Sequence, residues 1–216
     1  MKSTLKFNLI IALLALVCSI NAQTYRLEIG YNNPQRFGTG VSSKFFDGVK
    51  LGGTAEFKLK NNFSLLTGVL YNFVYSKKLQ GYPNDEDVRY KTIAHFLDIP
   101  ARLTYTLPLS KSLKVFGFAG PNLNIGLYQK RVVTSSLDPT YDYYVKSEIS
   151  NLYSGSSSLQ LNRLNLQVGL GGGVQWKKYQ LKATYDFGIN NLNKNSSTDS
   201  YSLHQKGWYF SVAFDI

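Results

Sequence analysis

The feature that most constrains the fold of this chain is an alternation of apolar and polar residues with a period of two. It is clearest at the C-terminus, where large apolar residues alternate with a more polar set. The apolar set is Trp208, Phe210, Val212, Phe214 and Ile216, and the residues between them are Tyr209, Ser211, Ala213 and Asp215. Successive side chains of a β-strand point to opposite faces. The segment is therefore predicted to be a strand with one apolar face and one polar face, and Asp215 lies on the polar face.

The same alternation recurs along the chain in eight segments. They cover residues 25–31, 49–59, 63–75, 90–105, 113–128, 164–176, 179–189 and 207–216. Aromatic residues reach 14% of the chain and charged residues only 17%, which favours strands over helices. No segment shows a convincing helical periodicity, so the sequence predicts an all-β protein.

The connections between these segments are of two lengths. Residues 32–47, 76–88, 129–163 and 190–205 form long connections, whereas residues 60–62, 107–112 and 177–178 form tight turns. Long and short connections alternate, so all long loops emerge at one end, and both termini lie at the other. This predicts one domain, residues 23–216, folded as an eight-stranded antiparallel up-and-down transmembrane β-barrel with short periplasmic turns and long extracellular loops.

Residues 1–22 are predicted to be a secretory signal peptide. Lys2 and Lys6 precede an apolar stretch over residues 9–18, which is too short to span a bilayer. Cys18 is the only cysteine and is removed with this segment. The exported chain then has no disulfide, thiol nucleophile or cysteine metal site. Export and the predicted barrel together indicate the bacterial outer membrane.

The net charge of +11 does not by itself indicate a nucleic-acid-binding protein. The lysines and arginines are scattered, largely in predicted turns, and they form no dense basic patch. The acidic residues 85–87 are interpreted as a solvated loop tip, because they lack the ligand spacing of a dedicated calcium loop. The sequence predicts no metal site, no cofactor and no nucleic-acid partner.

The apolar faces could meet lipid or enclose a ligand, as in a lipocalin-like carrier. Aromatic residues near the strand ends favour lipid contact, because aromatic girdles mark membrane interfaces. The polar faces then line the barrel interior with these residues: Arg26, Glu28, Lys50, Glu56, Lys58, Asp98, Arg102, Lys182, Asp186 and Asp215. We interpret them as a network of ion pairs and hydrogen bonds that fills the narrow interior, rather than as a solute pathway. The glycines of residues 171–173 are predicted to make room for Phe116 or Phe118.

Three motifs carry a resemblance to a known family. FLDIPARLTY (residues 96–105), VFGFAGP (115–121) and VGLGGGV (168–174) resemble the PorT-like outer membrane protein β-barrel domain family, over residues 23–216. The resemblance implies an OmpX-like eight-stranded barrel in the outer membrane, and it implies little about activity. The last strand also resembles the signal read by the outer-membrane assembly machinery, although Ile216 stands where phenylalanine is usual.

Three functional hypotheses remain open from the sequence. In the first, the barrel is not an enzyme, contacts outer-membrane lipid, and has a structural or surface-interaction role with an unknown protein partner. Its candidate loop binding residues are Tyr141, Tyr143, Tyr144 and Tyr153, since tyrosine is favoured at binding surfaces, although these rings could instead pack a loop hairpin. The second is an outer-membrane hydrolase that uses Ser202, His204 and Asp199. The third is a soluble carrier with a ligand buried against Leu166, Val168 and Leu170.

Overall fold

The computed structural model describes residues 23–39, 41–81, 87–136, 144–149, 151–154, 160–194 and 202–216. The predicted signal peptide lies outside these residues. Ten strands follow in chain order: β1 Gln23–Gly38, β2 Val41–Phe45, β3 Asp47–Lys58, β4 Phe63–Gly81, β5 Asp87–Pro108, β6 Leu113–Ser136, β7 Tyr144–Ile149, β8 Leu164–Trp176, β9 Tyr179–Gly188 and β10 His204–Asp215. Over the described residues, no helix is long and apolar enough to span a bilayer.

Eight of the ten strands form a closed barrel. Going round the wall, β1, β3, β4, β5, β6, β8, β9 and β10 pair with their neighbours, and β10 returns to β1. Every pairing is antiparallel, and the closing seam runs from Arg26 opposite Asp215 to Phe37 opposite His204. This confirms the predicted eight-stranded antiparallel up-and-down barrel, with the first and last strands adjacent.

The two remaining strands extend the wall beyond the predicted limits. The pairing of β1 with β3 reaches Asn32 opposite Gly48, and β2 continues in the same register with Gln35 opposite Phe45. The break falls opposite Pro34, which has no amide hydrogen to donate to the ladder. The predicted loop 32–47 is thus largely strand, because the alternation continues through it. Similarly, β7 pairs with residues 131–136 of β6, so the third loop contains an antiparallel strand pair.

The two faces of the wall differ as the alternation predicts. On β8, Leu166, Val168 and Leu170 are 43%, 50% and 66% exposed on the outside, while Asn165 and Gln167 are buried inside. A shift of one residue in register would exchange these faces, so the pattern specifies the pairing. The outward position of the three apolar side chains excludes the soluble carrier with a ligand enclosed against them.

The turns at the periplasmic end depend on residues in left-handed conformations. Asn61 in the turn between β3 and β4 has φ 61°, and Lys177 in the two-residue turn between β8 and β9 has φ 53°. Asparagine tolerates this conformation better than most side chains, and two-residue hairpin turns require positive φ values. Because these turns are short, little chain extends beyond the strands at the periplasmic end of the barrel.

Candidate functional site

The periplasmic layer of the barrel interior is an ion-pair cluster around Arg26. Arg26 forms an ion pair with Glu56 of β3, and its Nε donates to Asp215 Oδ1 of β10 at 2.5 Å. Gln175 Nε2 donates to the other Asp215 oxygen at 2.9 Å. Asp215 therefore points inward, as its parity predicts, and Arg26 ties together three strands at the seam where the barrel closes.

The middle layer is centred on the carboxylate of Glu28. Lys50 Nζ lies 3.3 Å from Glu28 Oε1, and Lys182 forms an ion pair with the other oxygen. All three side chains are buried. A charge removed from water must be paired to be tolerated, and the two ammonium groups share the single carboxylate of Glu28. These contacts cross the interior between β1, β3 and β9.

A further buried ion pair joins Arg102 of β5 to Asp186 of β9. The guanidinium also donates to the carbonyl oxygens of Gly120 and Gly169, the latter at 3.3 Å. The planar fork of arginine can satisfy several acceptors together. Arg102 thereby links four strands, and no solute group is required to neutralise it.

Among the described residues, amides and not a cation hold Asp98. Its carboxylate accepts hydrogen bonds from Asn72 at 2.9 Å, Asn122 at 3.1 Å and Asn124 at 2.8 Å. The network predicted from the sequence contained only charged residues and therefore lacked these three asparagines. These asparagines alternate with the outward apolar residues of β4 and β6, and this alternation would have predicted that they face the interior.

Lys58 takes a different position from the other predicted interior residues. It is exposed at the periplasmic mouth, where it lines a polar cavity of about 330 Å³ together with Arg26 and Lys114. A second cavity, in the middle of the interior beside Glu28 and Asp98, holds only about 30 Å³. An eight-stranded barrel is just wide enough for side chains to fill, and here they do so above a short vestibule.

Two glycines of β8 admit aromatic rings, as predicted. A Cβ atom placed on Gly171 would lie 2.5 Å from the Phe118 ring, and one on Gly173 would lie 2.8 Å from the Phe116 ring. The two rings stack with centroids 6.2 Å apart. Real Cβ atoms do not approach other atoms this closely, and each Cβ would also meet a backbone carbonyl oxygen of β9, that of Ala183 or Leu181, so both positions require glycine.

The extracellular half of the interior is filled by buried residues, and the apolar ones among them form two groups. The first, the apolar plug, consists of Phe46, Val74, Ala94 and Phe96. The Arg36 guanidinium and the Lys44 ammonium lie 5.2 and 5.5 Å from the Phe46 ring centroid. The second, the loop cluster, consists of Leu152, Leu161, Leu192 and Leu203 from the third and fourth loops. The extracellular loops thus have a small hydrophobic core of their own.

This architecture agrees with a family model described as outer membrane protein beta-barrel domain, which matches residues 18–194. The chain belongs to this family of outer-membrane β-barrel domains. It is accordingly a bacterial outer-membrane protein. The matched range stops before β10, the strand that closes the barrel against β1.

Solved outer-membrane barrels are similar to this chain at low sequence identity. Neisserial surface protein A is 12% identical, with a TM-score of 0.45 over 91% of this chain and 100% of its own. The attachment invasion locus protein Ail of Yersinia pestis is 12% identical, with a TM-score of 0.36 over 89% and 98%. The outer membrane enzyme PagL is 11% identical, with a TM-score of 0.39 over 88% and 98%. None of the curated proteins compared with the chain matches it.

In this outer-membrane barrel, Tyr153 is a packing residue of the loops. Its ring lies against Gly126, where a Cβ atom would be 2.5 Å from a ring carbon, and it packs against the loop cluster. The Arg163 guanidinium lies 5.5 Å from the ring centroid. Tyr153 thus packs within the loops, and its role in binding stays a prediction. Tyr141 and Tyr143 lie outside the described residues, as does the side chain of Tyr144.

The proposed hydrolase residues are not brought together within the described part of the barrel. The Ser202 hydroxyl lies 3.5 Å from Thr39 Oγ1, and the His204 ring packs on Phe37 with centroids 5.8 Å apart. No hydrogen bond joins Ser202 to His204 there, and Asp199 lies outside the described residues. His95 faces outward and contacts the Tyr71 hydroxyl at 2.5 Å. The described chain also contains no group of three potential metal ligands.

Proposed function

We propose that this outer-membrane barrel is not an enzyme and acts through its extracellular loops, in an envelope structural or surface-interaction role. The observation that carries the proposal is the contrast between the barrel interior and the extracellular loops. The interior is filled by ion pairs and the apolar plug, while the loops are built around the loop cluster. The contact of Ser202 with Thr39 supports a non-enzymatic role, since a nucleophile needs a base within hydrogen-bond reach.

Several finer assignments belong to the same proposal. The motifs in residues 96–105, 115–121 and 168–174 support membership of the PorT-like group, and residues 1–22 support export through a signal peptide. Phe214 of β10 and Ile216 directly after it are exposed, which supports recognition of the last strand by the assembly machinery and later contact with lipid.

A filled interior has a direct consequence for ion flow. In planar lipid bilayers, the refolded barrel is expected to show no stepwise conductance, because ion pairs close the middle and the apolar plug closes the extracellular half. A general porin serves as the positive control, and a boiled sample of the barrel reports leak from unfolded protein. Steady unit conductance from the folded barrel alone would overturn the closed-interior assignment.

The role of the loops is tested by disrupting the loop cluster without touching the wall. Leu192→Asp replaces one of the four buried leucines of the loop cluster with a charged residue, whereas Leu109→Asp makes the same change at an exposed periplasmic turn. A strain lacking the protein is complemented with each variant and assayed for surface adhesion and detergent sensitivity. We expect Leu192→Asp to fail and Leu109→Asp to succeed, with both barrels heat-modifiable on gels. Full complementation by Leu192→Asp would contradict a loop-based role.

A further inference from the structure

Three lysines lie close together on the outer surface near the extracellular ends of neighbouring strands. Lys77 of β4 is directly opposite Lys91 of β5, and Lys130 of β6 is opposite Ile93, one outward position below Lys91. The residues adjacent to them in sequence are buried in the interior: Ser76, Thr92 and Gln129. Because side chains alternate along a strand, the three lysines point outward, and we call them the lysine rim.

The arrangement is costly for the sheet alone. Like charges directly opposite each other destabilise an antiparallel pair, and Lys77 and Lys91 are such a pair. Within the described residues neither forms an ion pair, and Lys91 Nζ lies 5.7 Å from the Tyr75 ring centroid. Asp47 of β3 lies opposite Tyr75 of β4, and its outward carboxylate accepts a hydrogen bond from the Tyr31 hydroxyl. Among the described side chains, no carboxylate forms an ion pair that would offset the repulsion between these two lysines.

The lysine rim lies just above an aromatic group on the same face. The His95 ring is 5.2 Å from Phe73 and 6.0 Å from Tyr128, measured between centroids. Aromatic girdles lie where the hydrocarbon meets the headgroups. Tyr75 and Lys77 are two residues apart on β4, a rise of about 7 Å at the usual strand spacing. The lysine ammonium groups are thus at the level of the headgroups of the outer leaflet.

We propose that the lysine rim binds the phosphate groups of a phosphorylated lipid in the outer leaflet. Phosphate oxygens between Lys77 and Lys91 accept charge-assisted hydrogen bonds and remove the repulsion between them. The acyl chains of the same molecule pack against the aromatic group below. A lipid fits this position better than free phosphate, because the site faces hydrocarbon on one side and water on the other.

The test uses the full barrel in phosphatidylcholine nanodiscs with added lipid A, a glucosamine lipid with two phosphates. In native mass spectrometry, the affinity of the variant K77Q/K91Q/K130Q for lipid A is expected to be lower than that of wild type by a factor of about ten or more. Each basic residue near an anionic surface adds to the attraction. In nanodiscs without lipid A, the same variant is expected to melt at a higher temperature than wild type, because the like-charged pair is gone. A mobility shift on boiling verifies that it is folded.

The matched control is K111Q/K177Q/K178Q, which removes three lysines from the periplasmic turns. Lipid A occupies both leaflets of a nanodisc, so the control lysines meet the same headgroups. We expect this control to retain lipid A like wild type. Equal losses from both variants would mean attraction by net charge alone, and no loss from either would remove the site. Displacement of lipid A by excess inorganic phosphate would show that phosphate itself, and not a lipid, is bound. Each of these three outcomes overturns the proposal.

Discussion

Glu28→Ala is expected to destabilise the barrel by about 3–5 kcal/mol, because it leaves two buried ammonium groups without a counter-charge. Lys50 and Lys182 both form ion pairs with this one carboxylate in the middle of the interior. The free energy of unfolding is measured by urea titration in lipid vesicles, with tryptophan fluorescence reporting the folded barrel. The loss should appear as a lower urea midpoint, and the heat-modifiable band should disappear at a lower temperature.

Lys58→Ala is the matched control for this experiment. Lys58 belongs to the same polar face but is exposed at the periplasmic mouth, so its removal should change the free energy by less than about 0.5 kcal/mol. Replacing Glu28, Lys50 and Lys182 together with methionine should recover much of the loss, because none of these three buried charges remains to need a partner. If Glu28→Ala were no more harmful than Lys58→Ala, the ion pairs would not contribute to stability as described.

Gly171→Val is expected to cost at least about 2 kcal/mol, because overpacking a filled interior forces side chains or backbone to move. A Cβ atom at this position would meet the Phe118 ring at 2.5 Å, and it would also collide with the Ala183 carbonyl on the neighbouring strand. The same urea titration in vesicles measures the change. Because a backbone atom is involved, Phe118→Ala in the double variant should restore only part of the loss.

Gly117→Val provides the control at the neighbouring position across the sheet. The nearest atom to a Cβ atom there would be the Gly171 carbonyl oxygen at 3.8 Å, an ordinary van der Waals contact. Gly117 is also exposed on the outer face. Valine suits a strand that faces lipid, so this variant should be as stable as wild type or slightly more stable. Equal destabilisation by the two valines would show that β8 and β6 need glycine for backbone reasons and not for the aromatic rings.

The strand pattern and the loop lengths were sufficient to predict the wall of the barrel. The alternation on β8 separated Leu166 and Leu170 from Gln167, and the structure places them on opposite faces. Such a pattern is local, because each residue's face follows from its neighbours two positions away. The ends of the strands were less predictable, since the 32–47 connection contains Pro34 and glycines that resemble loop residues yet continues in register as β2 and β3.

By itself the sequence determined the fold class, the eight-stranded count, the sidedness of the loops and which residues face the interior. Only the tertiary structure decided which interior side chains contact each other. Arg26 pairs with Asp215, 189 residues away, Arg102 pairs with Asp186, and Asp98 accepts hydrogen bonds from three asparagines. It also placed Phe46 in the plug and Lys77 opposite Lys91. Parity is set within a strand, whereas contacts through or around the barrel depend on how all eight strands are staggered when it closes.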